Sequence, residues 1–180
     1  LETEIRFTHR SLVERSKSGD RTAQYQLYEL YVDAMYNVSM RFLGIKEDAE
    51  DIVQDSFVDA FKNLEKFKYE STFGSWLKRI VINKSINHLK VKRIPLTTID
   101  NHEYHLTDEV EYEKVDTINM FKVKSGIEKL PVGYRQIINL YLIEGYDHNE
   151  ISDVLGITIS TSKSQYHRAK KKLVEIINTL

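Results

Sequence analysis

The sequence predicts an all-α protein built as two small helical bundles joined by a flexible acidic linker, with a helix-turn-helix at its C-terminal end. Three observations carry that expectation. Apolar residues recur at spacings of three and four through most of the chain, the signature of a helix with one buried face. Strand-like alternation is missing. Glycine and proline then divide the helical stretches, with Gly19, Gly44, Gly74, Gly145 and Gly156 between patterns, Pro95 after a basic block and Pro131 where a helix can begin.

The elements follow in order. Helices are expected over residues 10–18, 21–43, 46–65 and 72–93 in the first bundle, and over 116–129, 131–144, 147–155 and 158–178 in the second. The stretch 94–115 is polar, acidic and weakly periodic, so it reads as the linker between units 1–93 and 116–180.

Composition narrows the function classes. The 180 residues are 41% hydrophobic and 29% charged, enough for two cores and a soluble surface. With no cysteine, disulfides and thiolate metal sites are excluded. No apolar run approaches the ~20 residues needed to cross a bilayer, and the stretch from Leu1 to Arg10 lacks a signal-peptide core. A cytoplasmic protein without membrane insertion is expected. The net charge of −1 conceals a sorting into blocks. Residues 46–59 are acidic (Glu47, Asp48, Glu50, Asp51, Asp55, Asp59) and residues 78–93 basic (Lys78, Arg79, Lys84, Lys90, Lys92, Arg93). Residues 100–116 are acidic again, and 163–172 basic (Lys163, Arg168, Lys170, Lys171, Lys172). Two basic faces in a neutral protein suggest two anionic contacts; the plainer reading is solvated helix surface.

The C-terminal segment carries the sharpest signal. Asp147 with Glu150 forms a capping-box pattern at the start of a helix burying Ile151, Val154 and Leu155. Gly156 suits the left-handed turn that ends it, Ile157 plugs the corner, and Thr158 caps the next helix. That helix is expected to bury Ile159, Ser162, Tyr166, Ala169, Leu173 and Ile176. Thr161, Lys163, Ser164, Gln165, His167, Arg168, Lys171 and Lys172 fall on its outer face. A short helix, a glycine turn and a basic helix make the arrangement that reads duplex DNA in the major groove. Lys and Arg neutralise phosphates, while Ser164, Gln165, His167 and Arg168 can donate to base edges. The rival is a helical hairpin with a basic exterior.

The first bundle offers a second site. Residues 46–65 bury Ala49, Ile52, Val53, Phe57, Ala60, Phe61 and Leu64 and expose Asp51, Gln54, Asp55 and Asp59, an acidic face able to dock on a basic protein surface. Next, Phe67, Tyr69, Phe73 and Trp76 crowd a turn that leads into a basic helix. Rings beside cations suit single-stranded nucleic acid, whose bases stack while its backbone follows the charges. Phe73 and Trp76, at i and i+3 with Leu77, Ile80 and Val81, read as core; the loop itself, with Asn83 and Lys84 beyond it, reads as the nucleotide contact.

Together these strings resemble an RNA polymerase sigma factor of the extracytoplasmic-function group, within the sigma-70 family. The resemblance runs from about residue 20 to 178. It rests on residues 27–31 (LYELY), 41–44 (RFLG), 47–57 (EDAEDIVQDSF), 73–80 (FGSWLKRI), Leu130-Pro131, and Gly156-Ile157 through Lys163-Ser164 to His167-Arg168-Ala169. It implies that the first bundle is region 2 and the last is region 4. Asp51, Gln54 and Asp55 would dock on the β′ clamp helices of core RNA polymerase, with the β flap as a further contact. Lys66, Lys68, Tyr69, Ser71, Lys78, Arg79, Asn83, Lys84 and Asn87 would read and melt the −10 element, whose non-template base the family captures flipped. Thr158, Ser160, Thr161, Lys163, Ser164, Gln165, His167, Arg168 and Lys171 would read the −35 element as duplex. An anti-sigma factor is the implied regulator. The sequence departs from the common family pattern at Ser160, Ser162, Gln165 and Tyr166, so the −35 sequence does not follow by analogy.

Two other classes fit parts of the pattern. A DNA-binding regulator using only the C-terminal unit would bind duplex without polymerase. A helical adaptor would leave the basic faces dispensable. An enzyme is not expected: there is no glycine-rich phosphate loop, the six histidines lack metal spacing, and no metal or cofactor is implied. The acidic linker (Asp108, Glu109, Glu111, Glu113) is expected to avoid or mimic DNA inside the polymerase channel.

Overall fold

A computed structural model describes residues 9–92 and 120–180 of the chain. Helices account for its regular structure, and no strand occurs among the described residues. The chain divides into two compact units after Lys92. The expected linker 94–115, with its acidic residues and Pro95, lies outside the described residues.

Among the described residues the first unit holds four α-helices: α1 (Arg10–Lys17), α2 (Arg21–Leu43), α3 (Lys46–Lys62) and α4 (Phe73–Val91). Local chemistry fixes their ends. The Asp20 carboxylate accepts from the N–H groups of Thr22 and Ala23 at the start of α2. Gly44, at φ 71°, closes α2 with its N–H on the Met40 carbonyl, a backbone shape that glycine adopts without penalty. Glu47 and Asp48 in the first turn of α3 complement the positive end of its dipole. Thr72 caps α4 by accepting from Ser75 N–H.

Helix α2 packs against α1, α3 and α4, and α3 packs against α4. Leu27, Phe42, Ile52, Phe57, Leu77 and Ile82 are buried between them. Burying each such side chain is worth about 1.5–3 kcal/mol before entropy is counted. A polar contact crosses this core, where the hydroxyls of Ser39 and Ser85 lie 3.2 Å apart.

The expected helix 46–65 ends early, at Lys62. Asn63 explains the stop: its side-chain amide donates to the Asp59 carbonyl at 2.9 Å, competing with the helical ladder. The chain tightens into a 3₁₀ turn, Leu64–Lys66, that turns Leu64 and then Phe67 into the core.

The second unit holds α5 (Met120–Lys129), α6 (Val132–Ile138), α7 (His148–Leu155) and α8 (Ile159–Asn178). Helix α8 is its spine, packing on α5, α6 and α7. Leu130, Ile138, Ala169 and Leu173 form one buried cluster with Ile127, Tyr134 and Ile176 against it. Helix α5 comes close to α8 at Gly126, where a Cβ would meet Ile177 and Leu173 at 3.0 Å. The expected helix 131–144 is interrupted: α6 widens into a π turn, Asn139–Ile143, with Glu144 N–H on the Asn139 carbonyl. That turn keeps Leu140 in the core and lays Tyr141 on His148 and Tyr166.

Candidate nucleic-acid interfaces

The corner of the helix-turn-helix forms as its residues dictate. Asp147 accepts from Asn149 and Glu150 N–H, and Glu150 returns a bond to Asp147 N–H at 3.0 Å, completing the capping box. These bonds also hold the Asp147 carboxyl below its ordinary range. Gly156 makes the left-handed turn at φ 71°. Thr158 Oγ1 then accepts from Thr161 N–H at 3.0 Å and starts α8.

The two helices are held by a polar and aromatic seam. Ser162, fully buried on α8, pairs its Oγ with His148 Nδ1 of α7 at 2.9 Å. The His148 ring stacks on Tyr141 at 4.8 Å, and Tyr141 lies 4.3 Å from Tyr166. Burial first, then the positive charge of Lys163, depresses the His148 pKa, with Asp147 opposing.

On α8, Ser160, Lys163, His167 and Lys171 are exposed, and Thr161, Ser164 and Arg168 half-buried. Their spacing of three and four lines them along one face. Thr158 stands exposed at its leading end. Two placements differ from expectation, those of Gln165 and Ile159. Gln165, expected on the outer face, is only 8% exposed and its Oε1 lacks a hydrogen-bond partner. The reason is helical phase: position 165 stands between buried Ser162 and Ala169, three and four residues away. Tyr166, expected in the core, packs half-buried against the core cluster beside Tyr141 and His148, with Lys170 Nζ 4.9 Å from its ring centre. Ile159, also expected inside, is 43% exposed.

In the first unit, Arg79, Asn83 and Asn87 are exposed at i, i+4 and i+8 along α4, with half-buried Lys78 beside them. Lys84 is drawn away from that row by Asp59, 2.7 Å from its ammonium, and this bond lowers the Asp59 pKa. The preceding loop places Lys66 and Lys68 in solvent, while Lys66 donates to Asn63 Oδ1 at 2.7 Å. Half-buried Ser71 donates to the Thr72 carbonyl. Phe67, Phe73 and Trp76 pack as one aromatic cluster, with Phe67 centred 5.3 Å from Trp76 and 6.1 Å from Phe73. Phe73 is buried and Trp76 half-buried. Phe67 is core as well, so the rings of this turn are chiefly structural. Tyr69 is turned onto α1: its hydroxyl donates to Glu14, with Arg10 and Lys17 against its ring.

A third surface lies on α3, where Asp51, Gln54 and Asp55 are all exposed at helical neighbour spacing. Val58, 48% exposed one turn on, adds an apolar side chain to that face that the sequence had not singled out. A valine flanked by carboxylates, and outside the buried stripe, was its only signal.

Residues 27–93 match the family model of sigma-70 region 2, and residues 121–173 match that of sigma-70 region 4. Among curated relatives, an ECF RNA polymerase sigma factor, SigW, from Bacillus subtilis is 28% identical over 89% of this chain and 92% of its own length. An ECF RNA polymerase sigma-E factor from Haemophilus influenzae is 29% identical over 96% and 97%. Among solved structures, CnrH in complex with the cytosolic domain of CnrY is 25% identical with a TM-score of 0.53, covering 94% of this chain and 97% of that one. A sigma factor RpoE from Bartonella quintana, solved with the anti-sigma factor NepR, has a TM-score of 0.54 at 21% identity, covering 86% and 96%, and bears on fold alone.

Proposed function

The chain belongs to the sigma-70 family as an alternative sigma factor of the extracytoplasmic-function group, and from that premise we propose how its residues divide the work of promoter recognition. The observation that carries the proposal is the pairing, in one chain, of a capped helix-turn-helix in the second unit with an acidic helix face and a polar, basic helix face on the first. No element of a stand-alone repressor requires the latter two.

On this reading Asp51, Gln54 and Asp55 dock on the β′ clamp helices of core polymerase, with Val58 extending the contact, and the second unit meets the β flap. Helix α8 enters the major groove of the −35 element. Lys163, Ser164, His167 and Arg168 face base edges and phosphates there, Thr158, Ser160 and Thr161 serve the leading end, and Lys171 follows the backbone. Gln165 drops out as a direct contact, because its amide is turned inward. Lys66, Lys68, Ser71, Lys78, Arg79, Asn83 and Asn87 line the path of the unpaired −10 strand. Lys84 joins them once it exchanges Asp59 for a phosphate. A duplex reader and a single-strand reader are physically different devices, and one protein that holds both can recognise and open a promoter.

The factor works in the cytoplasm, as a specificity subunit whose chemistry is the polymerase's own. No described helix is long and apolar enough to cross a membrane. An anti-sigma factor restrains it, as membership of this group implies.

The test adds the protein to core polymerase on a pool of promoter fragments and maps unpaired thymines with permanganate. Specific melting and transcripts are expected. Failure to open any promoter would sink the reading. Within that assay Arg168→Ala should weaken −35 binding by roughly 1–3 kcal/mol if the side chain reads a base. Asn83→Ala should slow opening and spare duplex binding.

A further inference from the structure

Among the described residues, two that are not glycine adopt a left-handed backbone: His9 at φ 65° and Tyr69 at φ 61°. Such residues persist only where their surroundings over-determine them, and they gather at working sites. Here both lie at one junction, where α1 meets the loop leading into α4. His9, just before α1, pairs its Nδ1 with the Tyr31 hydroxyl at 3.0 Å. The Tyr31 ring meets Phe73 edge-on at 5.3 Å and fills the space beside Gly74, where a Cβ would approach its Cε1 to 2.7 Å. Tyr69 donates its hydroxyl to Glu14 of α1, 55 residues away in sequence. Its ring is flanked by Arg10, 5.1 Å from the centroid, and Lys17, 4.6 Å from it. Lys17 also donates to the Phe67 carbonyl at 3.3 Å.

Helix α1 and the residue before it therefore grip the segment 67–74 from several directions. Little of α1 is committed to the core, since Val13 and Ser16 are its buried residues. We propose that α1 is a positioning strut for the single-strand-reading loop, and that Tyr69 is the residue through which it acts. Tyr69 is thus a positioning residue and not a nucleotide contact; this rests on the reading of that loop as the −10 reader.

The mechanism is backbone direction. A left-handed residue reverses the course of the chain relative to an extended or right-handed one. If Tyr69 relaxed to either, the exposed side chains of Lys68 and Glu70 on its two sides would be re-aimed, and Ser71 with them. The phenol grip prevents that relaxation. It does not titrate in ordinary buffers. Burial, then the bond to Glu14, pushes the Tyr69 hydroxyl up to about 12. The same bond holds the Glu14 carboxyl below its usual range.

The test uses the full chain with core polymerase and promoters varied at the non-template −10 bases, comparing Tyr69→Ala, Tyr69→Phe, Glu14→Ala and the Tyr69→Ala/Glu14→Ala pair. Tyr69→Ala should slow opening at least tenfold and flatten discrimination among −10 bases. Affinity for core polymerase and for −35 duplex should stay within about twofold. Tyr69→Phe, keeping the ring beside its two cations, should recover part of the loss. The double variant should be no worse than Tyr69→Ala alone, since both act through one contact. Hydrogen exchange of the protein without polymerase supplies an independent arm, in which Glu14→Ala should speed exchange in residues 67–74. Unchanged exchange there would overturn the strut. Faster exchange with normal opening and discrimination would overturn its positioning role, as would a uniform loss that includes core binding. If the unmodified protein opens no promoter, the proposed function fails, and the exchange arm still decides whether the strut exists.

Discussion

Replacing Ser162 by alanine should loosen the helix-turn-helix by an amount its surroundings fix. The Ser162 side chain is fully buried and its hydroxyl pairs with His148 Nδ1 at 2.9 Å. Losing one oxygen creates little cavity, so the cost is that of the hydrogen bond: about 1 kcal/mol net, rising towards about 3 kcal/mol if the imidazole nitrogen stays dry. His148→Ala loses the same bond and also the stack on Tyr141, worth about 0.5–1.5 kcal/mol beyond area. It should therefore cost about 2 kcal/mol. The double variant should cost little more than His148→Ala, giving a coupling of about 1 kcal/mol. The assay is urea unfolding at pH 8, followed by far-UV circular dichroism and by tryptophan fluorescence. The single tryptophan, Trp76, lies in the first unit, so its signal is a built-in control. The circular dichroism curve should move and the fluorescence curve should not. A coupling below about 0.3 kcal/mol would refute the seam as an energetic unit. An equal shift of the Trp76 transition would refute its local character.

Three further outcomes follow from the same contacts. The folded pKa of His148 is depressed from its ordinary 6.5, so its share of stability is present above that value and lost as pH falls through the folded value. Thermal unfolding by circular dichroism should show the second unit weakening from pH 7.5 to 5.5, and His148→Gln should flatten that dependence. Thr158→Ala removes the acceptor for Thr161 N–H and should cost about 1 kcal/mol in urea unfolding without DNA, with Thr158→Ser restoring most of it. Gly74→Ala drives a methyl against a Tyr31 ring already held by His9 and Phe73. It should cost about 1–3 kcal/mol, read this time in the Trp76 transition.

What the sequence made legible were features decided within a few residues. The caps at Asp147 and Thr158 and the turn at Gly156 obey rules of local hydrogen bonding and backbone freedom, and each formed as expected. The early stop at Asn63 obeys such a rule too, but an asparagine inside an amphipathic run is outweighed by its apolar neighbours in any periodicity reading. The buried stripe of α8 was another matter. Residues 165 and 166 straddle its edge, and α7 with the π turn decides which goes in. Tyr141, delivered by that turn, offers half-buried Tyr166 a ring beside the core cluster, and Gln165 takes the inner place. The grip of α1 on Tyr69 spans 55 positions, and no local pattern announces it.

On the proposed reading of α8 as the −35 reader, the inward turn of Gln165 narrows what that helix can contact. From Ser160 to Lys171 the remaining outer residues span roughly 16 Å at about 1.5 Å per residue, close to the rise of about five base pairs at roughly 3.4 Å each. Within that span the hydroxyls lie at the leading end and Lys171 at the trailing end, so the fixed-geometry donors sit together at His167 and Arg168. An arginine there favours the two acceptors on a guanine edge, while a lysine meets phosphate as a point charge. The stringent positions of the duplex element should therefore be one or two adjacent base pairs, with tolerance on both sides. Selection from a randomised −35 segment would show that as a short information peak. A profile spread evenly over the whole contact would mean that the inner stripe, Gln165 included, is rearranged when DNA binds.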